Sequence, residues 1–199
     1  MKGVRFKPVY CPILVTLLCL APGLLPEGGE DLLQYQRTAL QTNEWWRLIT
    51  AHFVHLGWEH LLMNLAGLWL IWHLFVRHEN ALTGCAIRLP LLALVTSVGL
   101  LWLSPEVSWY RGLSGVLHGL LIASLLHQTS HQPRTSFILL SIIVVKIAWE
   151  QLSGPLPGTE SWVAGRVIID AHLYGGIGGV LIWGIERGYS QLFHHEVTG

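Results

Sequence analysis

Gly112-Leu113-Ser114-Gly115-Val116-Leu117-His118-Gly119 opens an apolar run that continues to about residue 127. One serine, one histidine and three glycines stand at the head of a segment otherwise rich in Leu, Ile, Val and Ala. Polar groups placed in lipid are costly, so each needs a partner or a task. A lone serine in such a helix commonly bonds back to its own backbone. Here the neighbouring glycines expose the hydroxyl and let another backbone come near. The serine also lies at a predicted helix start, where free N–H groups and the positive dipole end favour developing negative charge. Both features suit a nucleophile.

Five further apolar runs accompany this one at about 113–127. They cover about 9–26, 60–76, 89–104, 136–152 and 167–185. Together they predict an all-α membrane protein of six transmembrane helices. Composition agrees, since 52% of the 199 residues are hydrophobic and 12% are charged, against about 25% charged in soluble domains. The runs are short for spans of about 20 residues. The first follows Lys2, Arg5 and Lys7 and resembles a signal peptide, but no small-residue cleavage site follows it, and it reads as a retained membrane helix. Basic residues set the orientation. Lys2, Arg5, Lys7, Arg77, Arg88, Arg134 and Arg187 fall on one side, and Arg37, Arg47, Arg111 and Arg166 on the other, which predicts both termini in the cytoplasm. The long connection at 27–58, with Trp45-Trp46-Arg47, reads as an ordered element lying at the outer interface. The net charge of zero gives no sign of nucleic-acid binding. Cys11, Cys19 and Cys85 show no metal-type spacing and predict no disulfide.

Two more polar clusters break the apolar pattern. In Ala171-His172-Leu173-Tyr174-Gly175-Gly176-Ile177-Gly178-Gly179, positions 172, 175, 176 and 179 share one helical face. Such small-residue stripes let membrane helices approach closely. Ser114, Gly115, His118 and Gly119 form a matching face, and docking the two would bring imidazole to hydroxyl. The bland reading is helix packing around a core histidine. In the segment from His52 to Asn64, His60 and Asn64 lie one turn apart and could hold an oxyanion. His55 and His60 have a spacing that resembles metal ligands, but no third ligand is evident, so no metal and no cofactor is expected. A transporter whose polar residues line a path would explain the His and Asn, but not the glycine-flanked serine.

Four ordered motifs then resemble the rhomboid family of intramembrane serine proteases. They are Glu44-x-Trp46-Arg47, His55-x4-His60-x3-Asn64, Gly112-x-Ser114-Gly115 and Ala171-His172-x2-Gly175-x3-Gly179. The resemblance implies a single rhomboid-like membrane domain over 1–199, a six-helix bundle. It implies that Ser114 is the nucleophile and His172 the base of a dyad. His60 and Asn64 match the oxyanion-hole side chains, with the Ser114 N–H as a further donor, and Trp46 and Arg47 match a structural loop motif. The implied substrates are single-pass membrane proteins cut within the bilayer near its outer face. An inactive relative that only binds helices is the rival within the family. His118 stands where well-known bacterial rhomboids carry a tyrosine stacked under the catalytic imidazole. It could orient His172, compete with it as base, or be structural. Around Ser114 and His172 the sequence looks most like the rhombosortase branch, which processes proteins bearing a C-terminal Gly-Gly motif, a transmembrane helix and a basic tail. That implies a bacterial inner membrane location with the active site facing the periplasm.

Other polar residues carry weaker readings. Lys146 and Glu150 are spaced for an i, i+4 pair, either structural or in contact with a polar segment of substrate. Asp170 is two residues from His172 and faces elsewhere, so it makes a poor third triad member. His194 and His195 read as solvated or incidental.

Overall fold

A computed structural model describes residues 9–76 and 84–196. A helix covers each of the six apolar runs: α1 Tyr10–Leu20, α2 Trp58–Ile71, α3 Leu89–Leu103, α4 Ser114–Gln128, α5 Pro133–Ser153 and α6 Ile169–Glu196. The connection between α1 and α2 is ordered into short helical turns and one strand, β1 Tyr35–Gln36. That strand pairs antiparallel with β2 Trp109–Tyr110, just before α4, in the register Tyr35↔Tyr110. Lys2, Arg5, Lys7 and Arg77, on which the expected orientation partly rests, lie outside the described residues, as do the side chains of His194 and His195.

Among the described residues three helices are long and apolar enough to cross a membrane: Trp58–Val76, Ala86–Leu103 and Pro133–Ser153. Tyr10–Leu24 forms a shorter apolar helix. With 15 residues, α4 is short for a span. It is instead the most enclosed helix, with Val116, Leu120, Ala123 and Leu125 buried. The opposite case is α5, whose Phe137, Ile138, Ile142 and Val145 are all about 60% exposed or more. A large apolar face of this kind suits lipid rather than water.

Glycine sets how closely α4 and α6 pack. A Cβ on Gly175 would overlap the Gly115 carbonyl, and one on Gly179 would overlap the Gly119 carbonyl. In return, a Cβ on Gly115 would lie 2.6 Å from the Ala171 carbonyl oxygen. The two backbones are therefore in direct contact, which only a stripe without side chains permits.

Charged side chains tie the ends of the bundle. Arg37 donates to the carbonyls of Leu100, Leu101, Ser104 and Val107 and so satisfies the open C-terminal end of α3. At the far end of α3, Arg88 pairs with Glu186 of α6, which also bonds His127 of α4.

The expectation of no disulfide is corrected. Cys11 is disulfide-bonded, while Cys19 is buried and free. Spacing along a chain is silent on which thiols the fold brings together.

Candidate active site

Ser114 is the first residue of α4, and His172 lies one turn into α6. The backbone contact between those helices brings His172 Nε2 to 3.0 Å from Ser114 Oγ. His172 is buried, at 6% exposure. Its Nδ1 lies 2.8 Å from a carboxylate oxygen of Glu150 on α5. With Nδ1–H donating to that carboxylate, Nε2 presents its lone pair to the serine hydroxyl. This is the tautomer a general base requires.

The α2 side chains His60 and Asn64 line the cavity that also holds Ser114. His60 Nδ1 accepts the Leu56 N–H at 3.4 Å, which places its proton on Nε2. The ring lies against Gly112, where a Cβ would come within 2.7 Å of Cε1 and 2.9 Å of Nε2. Gly112 also has φ +124, a conformation that favours glycine. Asn64 is buried, and its Nδ2 has no hydrogen-bond partner. His60, Asn64 and Ser114 line one cavity of about 350 Å³ with His118, Lys146, Glu150 and His172. Apart from Thr159, the rest of its wall is apolar and includes Met63, Leu117, Ile143 and Val163.

Residues 42–187 match the rhomboid domain. The chain belongs to the rhomboid family. The family is known for intramembrane serine proteases acting on membrane-protein substrates, and the three apolar helices accord with a multi-pass membrane protein. No curated protein matches the chain.

His118, Lys146 and Glu150 of this rhomboid surround the serine and imidazole. The His118 ring stacks on His172, with centroids 4.2 Å apart and planes 13° from parallel. Its Nδ1 lies 2.7 Å from the Ser114 carbonyl and its Nε2 lies 2.7 Å from Lys146 Nζ. Nδ1–H therefore donates and Nε2 accepts. Lys146 also pairs with Glu150 at 2.9 Å. The hydrogen bonds close into a ring. It runs from the Ser114 carbonyl through His118, Lys146, Glu150 and His172 back to the Ser114 hydroxyl. The Asp170 carboxylate instead accepts from Ser104 Oγ, which also contacts the Tyr174 hydroxyl.

His118, Glu150 and His172 offer three ligand atoms within 4.8 Å of one another, a spacing that could hold a metal ion. Lys146 Nζ is within hydrogen-bond reach of all three. The chain's own ammonium thus lies where a metal would sit, and a metal would have to displace it. The His55 ring meets His60 edge to face, with centroids 5.0 Å apart.

The rhomboid loop motif holds the connection before α2 in shape. Arg47, only 3% exposed, pairs with Glu44 and donates to the carbonyls of Asp31 and Gln34. Trp46 Nε1 donates to the Leu32 carbonyl at 3.1 Å. Neither residue touches the cavity. His52 anchors the same loop to α3, its Nε2–H reaching the Ala93 carbonyl and Ser97 Oγ.

The reach of Glu150 to His172 is the feature that sequence reasoning missed. The available signal was a carboxylate in an apolar run, one turn from a lysine. That spacing read as an ion pair, either structural or in contact with substrate, and not as a partner of His172.

Proposed function

We propose that this rhomboid is an active intramembrane serine endopeptidase. Ser114 is the nucleophile, His172 the base, and His60, Asn64 and the Ser114 N–H the oxyanion hole. The observation that carries this reading is the 3.0 Å contact between His172 Nε2 and Ser114 Oγ.

The Ser114 hydroxyl attacks the scissile carbonyl while its proton passes to His172 Nε2. The carbonyl oxygen, now an oxyanion, accepts from His60 Nε2–H, Asn64 Nδ2 and the N–H at the start of α4. A preorganised donor of this kind lowers the barrier by roughly 3–4 kcal/mol in soluble proteases. Nδ2 of Asn64 is buried and unpaired, as such a donor needs to be before substrate arrives. His172 then returns its proton to the leaving amine, and the carbon–nitrogen bond breaks. Water, deprotonated by His172, attacks the acyl-enzyme and frees Ser114.

The finer reading is a single domain over 1–199 with six spans and both termini in the cytoplasm. It lies in a bacterial inner membrane with Ser114 facing the periplasm. Its substrates are single-pass membrane proteins of the rhombosortase type, with a C-terminal Gly-Gly motif, a transmembrane helix and a basic tail. Two sequence runs support that branch: Gly112-x-Ser114-Gly115-Val116-Leu117-His118-Gly119 and Ala171-His172-Leu173-Tyr174-Gly175-Gly176. The small-residue substrate motif also suits a serine recessed beside packed backbones.

The test is to reconstitute the protein with a model Gly-Gly/helix/basic-tail substrate and with one lacking the glycines. Cleavage of the first alone, lost in Ser114→Ala, supports the whole reading. Equal cleavage of both supports the protease without the branch. Binding without cleavage contradicts the proposal and favours an inactive relative.

A further inference from the structure

We infer that Glu150 is a positioning residue for the base, making the catalytic group a Ser114–His172–Glu150 triad whose third member is carried by α5. This rests on the proteolytic reading above and deepens it.

Two groups compete for His172 Nδ1. The Glu150 carboxylate lies 2.8 Å away and the Lys146 ammonium 3.1 Å away. They demand opposite tautomers. Ammonium can only donate, so a bond from Lys146 would place the imidazole proton on Nε2, facing Ser114, and abolish the base. Carboxylate can only accept, which holds the proton on Nδ1 and leaves Nε2 free. Glu150 therefore decides whether His172 can act.

The rest of the geometry favours the carboxylate. Lys146 already donates to His118 Nε2 at 2.7 Å and to Glu150 at 2.9 Å. Glu150 is 2% exposed, and among the described residues Lys146 and His172 are the groups placed to compensate its charge. During attack, the proton leaving Ser114 makes His172 a cation within 3.1 Å of Lys146. The Glu150 carboxylate between them balances that second positive charge and itself takes up no proton, as in the soluble Ser-His-Asp proteases.

The placement on α5 is also informative. Only 17% of this helix's span is buried, against 39% for the α2 and α3 spans. Its buried residues are Ser136, Ile147 and Glu150. Of these three only Glu150 lines the site's cavity, beside the half-buried Ile143 and Lys146 of the same helix.

The alternative is that Lys146 and Glu150 serve only as a neutral buried pair. A buried ion pair can often be replaced by apolar residues without loss of stability, which separates the two roles. The experiment measures the rate of covalent labelling by a small fluorophosphonate, which needs no substrate helix, together with kcat and KM for cleavage. The variants are Glu150→Gln and the apolar double variant Lys146→Met/Glu150→Leu, both checked for folding by thermal unfolding in detergent. Positioning predicts that each labels at least about 100-fold more slowly than wild type and loses kcat at little-changed KM. Loss of the corresponding aspartate in a soluble triad costs roughly 10⁴-fold. Labelling of either variant within about threefold of wild type overturns the inference; if the double variant does not fold, Glu150→Gln decides alone. Absence of wild-type labelling, or labelling retained in Ser114→Ala, would instead defeat the proteolytic reading itself.

Discussion

The His118 ring lies flat on the His172 ring at a centroid separation of 4.2 Å. His118 is one turn below Ser114 on the same helix, and it is bonded to the Ser114 carbonyl and to Lys146. It therefore fixes the plane of the His172 imidazole from beneath while sharing the hydrogen-bond ring.

Stacking and hydrogen bonding at His118 are separable. His118→Phe keeps the ring and loses both polar contacts; His118→Ala loses everything. An aromatic pair contributes about 0.5–1.5 kcal/mol beyond its buried area, which is up to roughly tenfold in rate. Fluorophosphonate labelling is expected to fall more in the alanine variant than in the phenylalanine variant. Equal losses would assign the whole effect to the hydrogen bonds.

The contact between α4 and α6 leaves no room for a side chain at Gly175 or Gly179. Gly175→Ala forces a methyl group into the Gly115 carbonyl, and overpacking of this kind costs about 1–3 kcal/mol or more. Thermal unfolding in detergent should drop by several degrees, and labelling should be lost as Ser114 and His172 separate. Gly184→Ala is the control on the same helix. Beyond its own stretch of helix, no atom of the described residues lies within 4 Å of its added carbon, and alanine is favoured over glycine in helices by about 1 kcal/mol. It should match or exceed wild-type stability.

Oxyanion donors act on the transition state more than on the bound substrate. Asn64→Ala is expected to lower kcat by about 10²–10³ with KM nearly unchanged. His60→Ala should behave similarly. Steady-state cleavage in liposomes gives both constants, and a rise in KM alone would make these residues substrate-binding groups instead.

Much of this geometry was legible in the chain. Among the described residues the apolar runs marked every long helix, and the i, i+4 glycines after His172 marked the face that meets α4. Ser114 and His172 stood out because a polar group in an apolar run needs an explanation. Glu150 did not stand out, because Lys146 one turn away already explained it. Only the docking of α5 against α6 reveals the second bond, and docking leaves no mark on the local pattern. The pairing of Tyr35 with Tyr110 was hidden for the same reason. A two-residue strand has no periodicity to read, yet it ties the connection between α1 and α2 to the segment that presents Ser114.

The loop histidines make stability depend on pH. Burial holds His52 down to about 4 and His55 down to about 3, both below the usual 6.5. His52 Nδ1 and both ring nitrogens of His55 are buried without partners, so protonation would strand a charge. The unfolded chain binds these protons near 6.5 and the folded chain does not. Stability is therefore fully present above about pH 6.5 and declines as pH falls toward 4, by on the order of 1 kcal/mol per unit for each group. Thermal unfolding in detergent between pH 4.5 and 8 should show this decline, flattened in His52→Gln. A melting temperature independent of pH across that interval would contradict the assignment.

The most direct measurement maps where a fluorophosphonate attaches. Intact-mass and peptide analysis should find one adduct, on Ser114, in the wild-type protein and almost none in His172→Ala. An adduct elsewhere, or one on Ser114 that forms equally fast without His172, would contradict the pairing of these two side chains as nucleophile and base.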